Sequence, residues 1–213
     1  MITMRAVGLT PDVTLKELPV KILLIQPDCY DGSIGFRLAA MPEPLALELL
    51  AAAVPDHECR ILDMRLDRDL GAALAGFQPD LVGVTALTPE VYAAREALAQ
   101  VKAFNSEIFT VVGGHHATLL PEDFFLPQVD AVALGEGELN FPALAAQIAG
   151  GDRRLERVPS LLFRGRDGQF RPSGTTATEL DMNRLAMPRR DLTAAWRDEY
   201  FFLFDRPDRK SVV

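Results

Sequence analysis

Only two cysteines, Cys29 and Cys59, occur in 213 residues. That excludes a disulfide-built scaffold, a four-thiolate zinc site and an iron–sulfur cluster held by three or four thiolates of this chain. Basic residues are scarce relative to acidic ones, 22 against 30, for a formal net charge of -8. Neutralising phosphates needs clustered cations, so nucleic acid and anionic membrane surfaces are disfavoured as partners. No apolar run approaches the roughly 20 residues of a membrane span. Met1 to Lys16 lacks the basic start and apolar centre of a signal peptide. No G-x-G-x-x-G follows the first apolar run, and neither G-x-x-x-x-G-K-[ST] nor G-x-S-x-G occurs anywhere. Nicotinamide, flavin-dinucleotide, nucleoside-triphosphate and serine-hydrolase readings thereby lose their main support. The expectation left is a globular, cytoplasmic protein with reduced thiols.

What is present is an alternation of short β-rich runs and helical patterns. Residues 1–19 show no period and read as a flexible leader. Val20 to Gln26 is a branched apolar run ended by Pro27, which suits a buried parallel strand. Pro44 to Val54 has helical spacing, with Pro in the first turn. Further strands are predicted over 60–64, 81–85, 109–112 and 131–134, and helices over 70–77, 90–104, within 121–126 and over 141–149. Five strands alternating with helices predict a flavodoxin-like or Rossmann-like α/β fold: a five-stranded parallel sheet with helices on both faces, spanning 20–152. Ligands of such sheets bind outside the carboxyl ends of the strands. A hairpin is predicted around Asp167-Gly168, within a hairpin-and-linker segment over 153–192. Trp196, Tyr200, Phe201, Phe202 and Phe204 crowd into the tail over 193–213. Such apolar surface predicts either a packing partner or packing back on the sheet domain.

Four strand-end loops hold the candidate chemistry. The first, Pro27-Asp28-Cys29-Tyr30 and onward to Gly35, is long enough to cover a site. The second, Thr85-Ala86-Leu87-Thr88, offers hydroxyls that bond a ligand or cap the helix after Pro89. The third, Gly113-Gly114-His115-His116-Ala117-Thr118, lets backbone approach a flat ligand. Its histidines could ligate a metal, donate hydrogen bonds or cap a helix, and no third metal ligand stands at suggestive spacing. The fourth, Gly135-Glu136-Gly137-Glu138, would repel a phosphate; it suits amide partners or a helix N-terminus.

Taken in order, these stretches resemble the cobalamin-binding domain at the N-terminus of B12-dependent radical SAM enzymes. The resemblance covers roughly 20–192. It rests on Pro44-Leu45-Ala46-Leu47, Pro79 to Thr85, Val112 to Thr118 with Pro121-Glu122, Asp130-Ala131-Val132 with Gly135 to Glu138, and Asp181 through Leu192. It implies a cobalamin whose corrin lies over the carboxyl ends of the strands, with the nucleotide tail threading between sheet and helices. It also implies cofactor contacts at Pro27, Asp28, Tyr30, Thr85, Leu87, Thr88, Gly113, Gly114, His115, His116, Thr118, Gly135, Glu136, Gly137 and Glu138.

Two departures qualify what is implied. The wider group carries D-x-H-x-x-G after the first strand, but Tyr30 stands where the His would be. No lower axial ligand is therefore expected from that loop, and His116 is the remaining, weak candidate for cobalt. The C-x-x-x-C-x-x-C that holds a [4Fe–4S] cluster and SAM is absent from the sequence. Those cofactors are expected only in a radical SAM domain that is missing or separate, and this chain by itself is expected to be a non-catalytic carrier module of a methyltransferase. A stand-alone cobalamin sensor, and a flavodoxin-like or nucleotide-sugar domain with another ligand, remain as alternatives.

Overall fold

The structure is a computed structural model that describes residues 19–29, 40–151, 154–176 and 180–202. Among these, seven strands form one sheet: β1 (Lys21–Gln26), β3 (Glu58–Asp63), β4 (Leu81–Thr85), β5 (Phe109–Gly113), β6 (Ala131–Ala133), β7 (Leu161–Arg164) and β8 (Phe170–Pro172). Their order is β3-β1-β4-β5-β6-β7-β8. The first five run parallel, as expected, in the flavodoxin-like order. The hairpin β7–β8 then adds antiparallel strands to the β6 edge. Its turn carries Gly168 at φ 80°. The hairpin thus extends the sheet rather than standing apart from it.

The parallel strands are buried on both faces, and their period of two splits the core. Ile22, Leu24, Leu81, Val111 and Ala131 face α1 (Leu45–Ala53) and α5 (Gly137–Ala149). Leu23, Ile25, Val82, Val84, Val112 and Val132 face α2 (Leu70–Phe77) and α3 (Val91–Phe104). The chain passes from β1 through α1 to β3 and then crosses back through α2 to β4. The strand order therefore reverses between β1 and β4, and a crevice is expected at their carboxyl ends.

Three local expectations are corrected. The last helix begins at Gly137, one turn before Phe141, and carries Pro142 inside it. As the sixth residue of the helix, Pro142 removes one intrahelical amide donor, yet the helix continues to Ala149. The helix expected within 121–126 is a single tight turn, Pro121–Phe124. It follows a five-residue helix, α4 (His115–Leu119), whose register Pro121 cannot continue. Thr88 does not cap the helix that follows it: the Leu87 amide donates to Glu90 Oε2 at 2.8 Å instead.

Part of the aromatic tail packs back. Tyr200 donates its hydroxyl to Asp63 Oδ2 at 3.2 Å, and β9 (Phe201–Phe202) pairs with β2 (Ala40–Met41). Phe201 and Phe202 remain exposed. Phe204 lies outside the described residues. Among the described residues no helix is long and apolar enough to cross a membrane.

Candidate cofactor pocket

A pocket of about 330 Å³ opens at the carboxyl ends of β4, β5 and β6, between the sheet and the helix pair α1/α5. Its floor is Gly83 and Val111 with Gly113 and Ala133; its walls are Ala46, Leu47 and Leu50 of α1 and Asn140 and Phe141 of α5. Small residues create the space. At Gly113 a Cβ would meet nothing closer than Ala133, at 3.7 Å, so the hollow beside it is open. At Gly83 a Cβ would come within 3.0 Å of Leu24 and 3.6 Å of Phe141. Glycine inside a strand marks close approach of another group. Gly83 was the signal in Leu81-Val82-Gly83-Val84 that pointed to the pocket floor and that sequence reasoning passed over, together with Ala46, Leu50, Ala133 and Asn140.

The rim is built from the expected loops. Gly114 has φ 93°, and a Cβ there would come within 2.7 Å of Thr85 Oγ1, so the second glycine is required by backbone geometry. Thr118 donates to the Gly114 carbonyl at 3.0 Å and accepts from the Gly135 amide at 3.0 Å, tying the third loop to the fourth. The Ala86 amide donates to the Gly113 carbonyl, and the His116 amide to the Ala86 carbonyl. These cross-links hold three strand-end loops in one rigid rim. Exposed His115 and Glu136 and half-buried Glu138 stand around it. Asn140, fully buried, donates to the Leu134 carbonyl at 3.0 Å. Glu138 lies in the first turn of α5, where its charge suits the helix N-terminus.

The pocket brings together Thr85, Gly113, Gly114, His115, Thr118 and Gly135 to Glu138. It does not bring in Pro27, Asp28, Leu87, Thr88 or His116. Asp28 accepts from Arg68 at 2.7 Å, and Leu87 is exposed. Thr88 is spent on His116: its hydroxyl lies 3.1 Å from Nδ1. His116 is buried, its Nε2 sits 2.8 Å from Asp123 Oδ2, and its ring stands edge-on to Phe124. Both ring nitrogens are thus engaged inside the protein. The His116 hydrogen bond, with Arg95 behind it, holds the Asp123 carboxyl below its ordinary range. Tyr30 lies outside the described residues.

Beside the pocket, a second set of polar side chains closes the ends of β1 and β3. Arg65 and Asp63 form a two-point ion pair, with Nε at 2.8 Å and Nη2 at 2.6 Å. Gln26 donates to Glu90 Oε1 at 2.9 Å. Burial pushes the Glu90 carboxyl up, and the Leu87 amide and Arg65 only partly offset it. Every carboxylate oxygen in this group accepts a hydrogen bond, which ties the loops after β1, β3 and β4 together.

With this geometry in hand, the family model described as "B12 binding domain" matches residues 34–145, just over half of the chain. The chain belongs to the B12-binding domain family. Among curated proteins it is 31% identical over 180 residues to an uncharacterized methyltransferase of Pyrococcus horikoshii, covering 81% of this chain and 39% of that protein. It is 31% identical over 177 residues to the anaerobic magnesium-protoporphyrin IX monomethyl ester cyclase of Rubrivivax gelatinosus (78% and 32%). It is 32% identical over 172 residues to the hopanoid C-3 methylase of Methylococcus capsulatus (75% and 31%). The chain therefore spans between 31% and 39% of the length of these relatives. Among solved structures, the cobalamin-dependent S-adenosylmethionine radical enzyme OxsB with aqua-cobalamin bound superposes with a TM-score of 0.68 at 16% identity, over 82% of this chain and 25% of that one. The radical S-adenosylmethionine methyltransferase TsrM of Kitasatospora setae gives 0.55 at 24%, over 72% and 31%. At those identities the superpositions establish the fold alone. B12-binding membership implies cobalamin as the cofactor.

Proposed function

We propose that the B12-binding domain holds cobalamin with its nucleotide tail inserted between the sheet and α1/α5 and its corrin resting on the rim outside, as the carrier half of a methyl-transferring enzyme. The observation that carries this is the open hollow beside Gly113, walled by small and apolar side chains. At about 330 Å³ it lies at the low end of small-molecule pockets. That suits a tail-sized group, with the broad macrocycle left on the surface.

The residues present fit such a ligand. Leu47, Leu50, Val111 and Phe141 give the tail's aromatic base an apolar enclosure. Gly113, Gly114 and Gly135 let the backbone of the rim come close to a flat face. Thr85, His115, Glu136 and Glu138 line the rim with polar atoms that would meet the corrin's peripheral amides, which both donate and accept hydrogen bonds. Because His116 is committed to Thr88 and Asp123, the described residues of this rim offer cobalt only His115 as an imidazole, and it stands exposed. Bound cobalamin would supply a cobalt centre able to carry a methyl group. The larger relatives motivate pairing with an S-adenosylmethionine radical domain, in the same polypeptide or as a separate partner.

The test is direct. Protein reconstituted with hydroxocobalamin and then desalted should keep the corrin absorbance bands at close to one equivalent. A colourless protein after desalting would remove the proposal.

A further inference from the structure

Helix α1 is held from two sides. Ala46, Leu47 and Leu50 form the pocket wall. Glu48, in the same turn, meets a different neighbour: the segment 188–196, which crosses the outside of the helix like a strap. Glu48 has no solvent exposure. Its Oε1 accepts the Thr193 hydroxyl at 2.5 Å, and its backbone carbonyl accepts the Arg189 amide at 3.1 Å. Among the described residues its Oε2 accepts no hydrogen bond, and it lies 3.9 Å from Arg190 Nε. Arg190 is itself fixed by Glu43, at 3.1 Å, just ahead of the helix. Leu192 packs against the core cluster that contains Leu47, Ala51 and Phe141.

A carboxylate without water is tolerated only while its donors stay in place. Release of the strap, taking Thr193 and Arg190 with it, would have to hydrate Glu48. A ligand in the pocket needs α1 held against the sheet, because α1 is one of its walls. The strap holds the same helix from the other side. Each event spares the other part of the cost of ordering α1. We infer that filling the pocket and docking the 188–196 strap are coupled through α1, so that cofactor occupancy is reported to the chain beyond the sheet. This inference rests on the cobalamin reading of the pocket. The strap continues to Tyr200, which reaches Asp63, and to β9, so docking also positions that end of the domain.

Coupling of binding equilibria is reciprocal, and one factor must appear in two experiments on the full chain. Hydroxocobalamin titration of Thr193→Val should give a Kd weaker than wild type by about fivefold or more, the lower end of ordinary allosteric coupling. In wild type, saturation with cobalamin should slow exchange of the Arg189 amide, read by NMR, by a similar factor. Thr193→Ser should restore both values. Arg190→Ala, which leaves the Thr193 hydrogen bond intact, should shift both in the same direction if Thr193→Val proves too unstable to titrate. Wild-type protein that binds cobalamin with no change at Arg189, together with strap variants of unchanged affinity, would overturn the coupling and leave the pocket reading standing. Wild-type protein that retains no cobalamin would overturn the pocket reading, and the coupling with it.

Discussion

Gly113→Val should separate cofactor binding from folding. Gly113 ends β5 on the pocket floor, with an ordinary negative backbone φ and a 3.7 Å clearance from its would-be Cβ to Ala133. Valine suits a strand end, and its two methyls would enter space that the protein itself leaves empty. The fold should be nearly unaffected. A ligand tail meeting those methyls must shift or force them aside. Overpacking of this kind costs about 1–3 kcal/mol, which corresponds to a Kd raised roughly 5- to 150-fold. Gly114→Ala is the control with the opposite signature. Its φ of 93° and the 2.7 Å approach to Thr85 Oγ1 strain the backbone whether or not a ligand is present. It should lower Tm by roughly 2–4 °C or more, from a penalty exceeding about 1 kcal/mol. The assays are thermal melts of the free proteins and hydroxocobalamin titrations followed by absorbance. If Gly113→Val binds as tightly as wild type, the ligand does not enter the pocket. If it melts as low as Gly114→Ala, the hollow beside Gly113 is not open.

Two other outcomes follow from single side chains. Burial raises the Glu48 carboxyl above its ordinary 4.5, more than Thr193 and Arg190 pull it down. The folded state then binds the proton more tightly than the unfolded one. Stability should decline as pH rises from 4.5 through the raised folded value. Glu48→Gln keeps an acceptor for Thr193 and should flatten that slope in chemical denaturation at a series of pH values; an unchanged slope would show that Glu48 is not its source. His116→Phe should cost stability on the scale of two lost hydrogen bonds, about 1–3 kcal/mol, while the spectrum of bound cobalamin stays as in wild type. A shifted cobalt spectrum in that variant would place the imidazole on the metal after all.

The parallel layer was legible because its strands are continuous branched runs separated by helical patterns, and each run alternates cleanly between two cores. The glycine pair at the end of β5 is a weak signal alone, since many strand-to-helix turns use glycine; within the fold only Gly114 needs its positive φ, whereas Gly113 has room for a side chain. The pocket walls were not legible. In the segment 44–54, Leu45, Leu49 and Ala52 stand at helical spacing, yet the helix buries Leu47, Glu48 and Ala51 and turns Ala46, Leu47 and Leu50 to the pocket while Leu45 is exposed, a choice only the tertiary fold makes. Long-range partnerships were also hidden. Thr193 on Glu48 and Tyr200 on Asp63 join residues 145 and 137 positions apart, which no local pattern records. The orientation of the two histidines was hidden as well: α4 leaves His115 exposed and turns His116 inward to Asp123. Asp130, read as part of a family signature, proves to be a tie at the other end of the sheet. It accepts from Lys102 at 2.6 Å, from Arg164 at 3.0 Å and from the Thr110 amide at 2.9 Å.

The proposed insertion of the nucleotide tail between the sheet and α1/α5, with the corrin left outside, has one direct test. Comparing cobalamin with cobinamide, the same cobalt corrin without that tail, isolates it in one titration pair. Cobalamin should survive desalting on the wild-type protein and cobinamide should bind far more weakly, with the difference largely lost in Gly113→Val. Equal affinity for the two corrins would contradict the proposed insertion.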